Sequence, residues 1–152
     1  MNMSDTEIVT SLLTQQQMNP LDSHQDSDVI LLNTCAIREN AEAKIWNKLK
    51  NFTSLKAQRK KAKKPLVIGV IGCMAERLKK KIVEEEKIVD LVVGPDAYKD
   101  LPRLVNLLLG PENSEMNNYA INTQLSVDET YADVIPVRRS GDGLSAFVSI
   151  MR

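Results

Sequence analysis

Two thiols, Cys35 and Cys73, are the residues of this sequence whose type and placement most suggest chemistry. Each follows an apolar run and precedes a charged, helix-forming stretch. The first run is Asp28-Val29-Ile30-Leu31-Leu32-Asn33-Thr34-Cys35, continuing into Ala36-Ile37-Arg38-Glu39-Asn40; the second is Pro65-Leu66-Val67-Ile68-Gly69-Val70-Ile71-Gly72-Cys73, continuing into Met74-Ala75-Glu76-Arg77. An apolar run, a turn and a helical pattern spell a buried strand feeding a helix. A thiol on such a turn faces the positive end of the helix dipole, which favours thiolate. A pair of thiolates there could bind a metal or cluster, attack an electrophile or cycle as a redox pair. The plain alternative is two half-buried structural cysteines. The sequence has no Cys-x-x-Cys, and two thiolates do not complete the four usual for an iron–sulfur cluster. His24, the single histidine, sits in a polar stretch with no metal-binding or catalytic companion and reads as an exposed loop residue.

The elements that must position these thiols emerge from periodicity. Ser4-Asp5-Thr6-Glu7 has the form of a capping box, and Ile8, Val9, Leu12 and Leu13 give the helix behind it one apolar face, fading near Asn19-Pro20. Residues 20–28 form a loop. After the first Cys, Ile37, Ala41, Ile45, Leu49 and Phe52 recur at helical spacing, with Trp46 alongside, to about residue 55. After the second, Leu78, Ile82 and Val83 face inward, with Lys79, Lys80 and Lys81 outside. Ile88 to Gly94 reads as a third strand, Pro95-Asp96 as a turn, and Asp100-Leu101-Pro102 as a helix start, with Pro tolerated in the first turn. Leu101, Leu104, Val105, Leu108 and Leu109 form that helix's apolar face, and Gly110-Pro111 ends it. Strands alternating with helices predict a parallel α/β sheet with helices on both faces, a three-layer flavodoxin-like or Rossmann-like domain with right-handed crossovers. That domain spans residues 1–110. Residues 111–143, rich in Asn, Ser, Glu and Asp, read as a linker, ordered in part around Tyr131-Ala132-Asp133-Val134. Residues 144–152 alternate like a strand and read as the start of a further domain.

Composition narrows the classes. The 152 residues suit one domain of ordinary size, and 43 % apolar with 26 % charged residues fits a globular protein in water. Twenty basic residues balance twenty acidic ones, so net charge argues neither for nucleic acid nor for a membrane surface. No apolar run approaches the roughly 20 residues of a membrane span. No signal or transit pattern opens the chain. Two cysteines make no disulfide framework, and reduced thiols in an intracellular compartment are the expectation. Lys56, Arg59, Lys60, Lys61, Lys63 and Lys64 cluster before the second strand. They read as a solvated helix end, where cations suit the dipole. Of these, Lys60, Lys61, Lys63 and Lys64 are also candidates for contact with a phosphate backbone.

Asn33-Thr34-Cys35-Ala36-Ile37-Arg38-Glu39-Asn40-Ala41-Glu42 closely resembles the Asn-Thr-Cys-x-Ile-Arg-Glu-x-Ala-Glu signature of the radical-SAM methylthiotransferases. Gly72-Cys73-Met74-Ala75-Glu76-Arg77 resembles that family's second cysteine motif here, and Leu91-Val92-Val93-Gly94 its next strand. The stretches 94–104, 128–134 and 145–152 look closest to the tRNA-modifying branch, in particular to the eukaryotic, mitochondrial enzymes named for association with a CDK regulatory subunit. The resemblance implies an amino-terminal domain that holds a 4Fe–4S cluster through three cysteines. Cys35 and Cys73 match the second and third. The first lies in a Tyr-Gly-Cys-Gln-Met-Asn motif, with which the chain aligns only from Met1-Asn2, so the first strand and its Cys are expected to be missing. Asn2, Asn33, Thr34, Arg38, Glu39, Asn40, Gly72, Glu76 and Arg77 lie beside the ligand motifs. They either orient the cluster or simply cap and pair the helix starts.

The implied reaction is methylthiolation at C2 of an isopentenylated adenosine next to the tRNA anticodon. S-adenosyl-L-methionine is cleaved at a second cluster in a radical-SAM domain that would follow residue 152. No catalytic residue for that chemistry lies in these 152 residues, which are expected to be inactive alone. The implied partners are tRNA, the protein's own radical-SAM domain and a regulatory protein, with no membrane. The implied compartment is the mitochondrion, with the cytoplasm as alternative. A protein-interaction module without chemistry is the competing function class.

Overall fold

The computed structural model describes residues 3–34, 41–75, 77, 81, 88–110, 120–122 and 134. The order of elements is α1 (Met3–Thr14), β1 (Val29–Thr34), α2 (Ala41–Lys61), β2 (Val67–Gly72), β3 (Leu91–Val93), a 3-10 segment (Pro95–Asp100), α3 (Leu101–Leu109) and β4 (Ala120–Asn122). The strands form one sheet in the order β1-β2-β3-β4, and every pairing is parallel. The expected parallel α/β sheet, covered on both faces, is therefore present.

Side-chain alternation along the strands explains the layers. Val67, Ile71, Leu91 and Val93 point to one face, where Ile8, Val9 and Leu12 of α1, Tyr98, and Leu101, Leu104 and Val105 of α3 close over them. Ile30, Leu32, Ile68, Val70 and Val92 point to the other, under Leu49 of α2 and its neighbours Ile45, Trp46, Phe52 and Leu55. Every residue of β2 is buried. A strand covered on both faces needs a continuous apolar run, and Val-Ile-Gly-Val-Ile-Gly is one.

The helices divide between the two faces, with α2 on one and α1 and α3 on the other. α3 joins the face of α1 because its three buried apolar residues Leu101, Leu104 and Val105 complete the cluster begun there. β4 itself lies inside the stretch expected to be a linker. Its three residues offer too short a pattern to stand out from their polar surroundings. Val134, also in that stretch, is buried in the α1 cluster. The remainder of 111–143, the strand expected at 144–152 and the residues Leu78, Lys79, Lys80, Ile82 and Val83 lie outside the described residues.

Helix boundaries differ from expectation for physical reasons. α1 already includes Met3, so Ser4 is not its N-cap; Ser4 and Glu7 are buried within the helix. The helix stops at Thr14, short of Asn19-Pro20. Gln17 takes φ 62°, its amide donates to the Thr14 carbonyl and the Met18 amide donates to that of Leu13. That pair of bonds is a Schellman closure, and the contact of Met18 and Leu13 with one apolar cluster completes it. α2 ends in the same way: Lys63 has φ 54°, its amide donates to the Lys60 carbonyl and the Lys64 amide donates to that of Arg59. α2 runs to Lys61 rather than to about residue 55 because Lys56 and Arg59 are anchored inward. Lys56 Nζ donates to both Asp90 carboxylate oxygens at 2.6 Å and to the Ile88 carbonyl at 2.7 Å. Arg59 Nη2 donates to Asp28, Ser27 and Pro65.

β3 is shorter than Ile88–Gly94. Asp90 Oδ2 accepts the Ile68 backbone N–H at 2.9 Å, so a side chain replaces the strand carbonyl there and the ladder opens at Leu91. α3 begins where expected, with Pro102 in its first turn. Asp100 makes no capping bond; its carboxylate accepts two hydrogen bonds from Arg103 and, with its charge, raises that guanidinium further above its ordinary value. Among the described residues no helix is long and apolar enough to cross a membrane.

Candidate functional site

Parallel strands that end together bring their next residues together. β1 and β2 pair from Val29↔Val67 to Thr34↔Gly72, and the chain continues from these ends into Cys35 and Cys73. Adjacent strands lie about 4.8 Å apart, so Thr34 and Gly72, the residues from which the chain continues into the two cysteines, are direct neighbours. Cys73 is exposed, and residues 73–75 are already helical, so the thiol stands at the start of a helix as the strand-turn-helix pattern requires. Cys35 lies outside the described residues, as do Asn2, Arg38, Glu39, Asn40 and Glu76.

The strand ends are drawn tightly together. The buried Thr34 hydroxyl donates to the Ile71 carbonyl at 2.7 Å. Gly72 adopts φ +97°, and a Cβ there would collide with the Thr34 carbonyl oxygen and sit 3.0 Å from Asn33 Oδ1. Only glycine combines that backbone angle with that approach. Asn33 Nδ2 donates to Thr6 Oγ1 at 2.9 Å, tying α1 to the end of β1. Of the residues named beside the ligand motifs, Asn33, Thr34 and Gly72 thus form one cluster at this edge. Arg77 is exposed on the following helix. Thr6 was not a sequence candidate; it is a plain helix residue, and nothing local announces a partner 27 positions away.

Among the described residues no group of three or more His, Cys, Asp or Glu could hold a metal. The chemistry of the donors still suits one. Thiolates are the soft ligands that iron–sulfur clusters use, and the absence of a Cβ at Gly72 leaves the strand ends close. Cysteine is the residue type that supplies such ligands, and Cys73 is exposed at this edge.

The basic residues lie elsewhere. Six-residue strands separate the two edges of the sheet by about 17 Å, and the end of α2 with its lysines lies at the edge where β1 and β2 begin. Lys60, Lys61, Lys63 and Lys64 are all exposed there. Lys56 and Arg59 belong to the fold instead. A shallow groove runs beside them, lined by His24, Phe52, Gln58 and Lys64 among others. His24 is the exposed loop residue expected, its ring edge-on to Phe52 at 5.5 Å.

Comparison with known proteins adds a second line of observation. The chain matches uncharacterized protein family UPF0004 over residues 1–94. It is 51 % identical over 152 residues to mitochondrial tRNA methylthiotransferase CDK5RAP1 of Homo sapiens, covering all of this chain and 24 % of that protein. It is 51 % identical, again over its whole length, to 31 % of the tRNA-2-methylthio-N(6)-dimethylallyladenosine synthase of Chloroherpeton thalassium. A CDK5RAP1-like protein of Oryza sativa is 46 % identical over 161 residues, 26 % of its length. The chain thus spans about a quarter to a third of the curated relatives it matches.

Proposed function

Because the chain belongs to uncharacterized protein family UPF0004, we propose that it is the cluster-binding amino-terminal domain of a tRNA methylthiotransferase. The observation that supports this is the Thr34↔Gly72 register, which brings together the strand ends from which the chain continues into Cys35 and Cys73. Cys35 and Cys73 would hold a 4Fe–4S cluster together with a third thiolate from the full-length protein. When bound, the cluster supplies the sulfur that is methylated and passed to C2 of an isopentenylated adenosine beside the anticodon. The residues of this domain hold and orient; they do not attack the base. Cys35 and Cys73 would hold iron as thiolates, and three protein thiolates on a four-iron cluster would leave room for the sulfur to be transferred, by the logic of an open catalytic metal site. Cleavage of S-adenosyl-L-methionine belongs to a radical-SAM domain outside these residues.

The tRNA is held in part by Lys60, Lys61, Lys63 and Lys64, whose exposure and common edge support contact with phosphates. The mitochondrial name of the human relative supports the same compartment for this protein.

The test uses the full-length protein, purified without oxygen, with iron counted and methylthiolated adenosine measured in its tRNA. Cys35→Ala or Cys73→Ala should lower bound iron and abolish the modified base. Iron content indifferent to both changes would overturn the ligand assignment and leave the protein-interaction module as the better account. The 152 residues alone, reconstituted with iron and sulfide, should keep little iron and release no 5′-deoxyadenosine from S-adenosyl-L-methionine.

A further inference from the structure

We propose that Thr34 is a positioning residue that sets the separation of the two cysteine thiols. It has a feature that a simple strand residue does not need. Its side chain is buried, 6 % exposed, and its hydroxyl is spent across the strand pair on the carbonyl of Ile71. That bond joins the residue before Cys35 to the residue two before Cys73. It lies at Thr34↔Gly72, the last rung of the ladder among the described residues. Strand ends fray, because their last backbone groups lose partners on one side. A buried hydroxyl bond at that point holds the end closed where ladder bonds cannot.

Gly72 is the other half of the latch. With φ +97° and no Cβ, it lets the Thr34 carbonyl pack against its Cα. Asn33 holds the outer side, its amide bonded to Thr6 on α1. The two residues before each thiol are therefore fixed by three independent features: a buried hydroxyl bond, a close backbone approach and a bond to a helix. All three act on the neighbours of the thiols and use no sulfur atom. Such an arrangement suits a site whose thiols must be reachable yet held at a set distance. Removing the Thr34 hydroxyl leaves the Ile71 carbonyl without that donor and frees the strand ends to spread.

The proposal rests on the cluster-binding reading for its purpose, but not for its test. In the full-length protein stripped of iron, a short reagent bearing two thiol-reactive ends is added. The peptide linked through Cys35 and Cys73 is quantified by mass spectrometry. Iron retention is measured in parallel on the loaded protein. Thr34→Val keeps the shape of the side chain and removes the donor; Thr34→Ser keeps the donor. Val105→Ala, a core change on α3 away from the latch, supplies a variant destabilised without loss of the hydroxyl.

Thr34→Val should lower the Cys35–Cys73 cross-link and the retained iron by about tenfold, the usual scale for losing a group that orients a metal ligand. Thr34→Ser should restore both, and Val105→Ala should leave the cross-link unchanged despite its lower melting temperature. A cross-link in Thr34→Val equal to that of the unaltered protein would overturn the proposal. So would an equal loss in Val105→Ala, which would mean that stability alone sets the yield. Cross-linking that depends on Thr34 in a protein that never binds iron would uphold the latch and defeat the cluster-binding function. Iron held equally by the unaltered protein and by the Thr34→Val variant, with equal cross-links, would do the reverse.

Discussion

The two edges of the sheet are built by opposite means. Where β1 and β2 end, the fold is closed by short side chains and backbone: Thr34, Gly72 and Asn33, all uncharged. Where they begin, it is closed by long ionic side chains from α2: Lys56 to Asp90, and Arg59 to Asp28, Ser27 and Pro65. The contrast teaches what each edge is for. Close backbone packing draws together the strand ends that precede the two cysteines without placing a charge among the residues that do so. Ion pairs consume two of the six clustered cations and leave four exposed at the edge. A cation run is thus not one object. Part of it holds the helix and part faces water.

Gly72→Ala should have the largest effect, because it attacks the first edge twice. It forces a side chain into a positive φ and drives a Cβ into the Thr34 carbonyl. Strain and overpacking together should cost about 3 kcal/mol or more. Hydrogen exchange of the β2 amides in the full-length protein would measure that cost, and bound iron should fall with it. Protection equal to that of the unaltered protein would show that the strand ends can part freely.

Asp90→Ala should have the next largest effect, at the second edge. The carboxylate serves Lys56 and the Ile68 amide at once, and the side chains of Lys56 and Asp90 are only 26 % and 23 % exposed. Its removal leaves an ammonium and an amide short of partners, at a cost of about 2 kcal/mol. Affinity for tRNA should keep its salt dependence, since neither group reaches the exposed patch. Changing Lys60, Lys61, Lys63 and Lys64 together to Gln should do the opposite. Stability should move by no more than about 0.5 kcal/mol, while the slope of log affinity against log salt should flatten by about 3 to 3.6 if all four meet phosphates. An unchanged slope would return the patch to plain solvent-facing charge.

The difference between the edges also decides what can be read from the sequence. The thiol edge is local. An apolar run, a turn and a Cys lie within a dozen residues, and the same pattern occurs twice, so both strands and their common edge are legible at 29–34 and 67–72. The ionic edge is not local. Arg59 finds Asp28 across 31 positions and Lys56 finds Asp90 across 34. No spacing rule reveals such partners, so periodicity alone ends α2 near residue 55 and reads its cations as one cluster. Ser4 shows the converse failure. Its capping pattern is locally sound, yet the helix includes Met3 and buries Ser4 instead. The bond from Asn33 to Thr6 is illegible for the same reason as the ion pairs, although Asn33 itself stands inside the motif.

Lys63 gives the sharpest test, because there the two purposes of the second edge meet in one residue. Its φ of 54° closes the Schellman turn of α2, a conformation that costs a non-glycine residue about 1 kcal/mol. Its side chain is one of the four exposed cations. Lys63→Gly relieves the backbone and loses the charge. Allowing for the greater freedom glycine has in the unfolded chain, stability should rise by about 0.5 kcal/mol. The salt slope for tRNA should flatten by slightly less than one, the share of a single phosphate. Gln17→Gly supplies the control, since Gln17 closes α1 in the same way at φ 62° and lies outside the lysine patch. It should bring the same gain in stability with the slope untouched. Equal slopes in the two variants would mean that Lys63 serves the turn alone, and that the phosphate contact belongs to Lys60, Lys61 and Lys64 or to none of them.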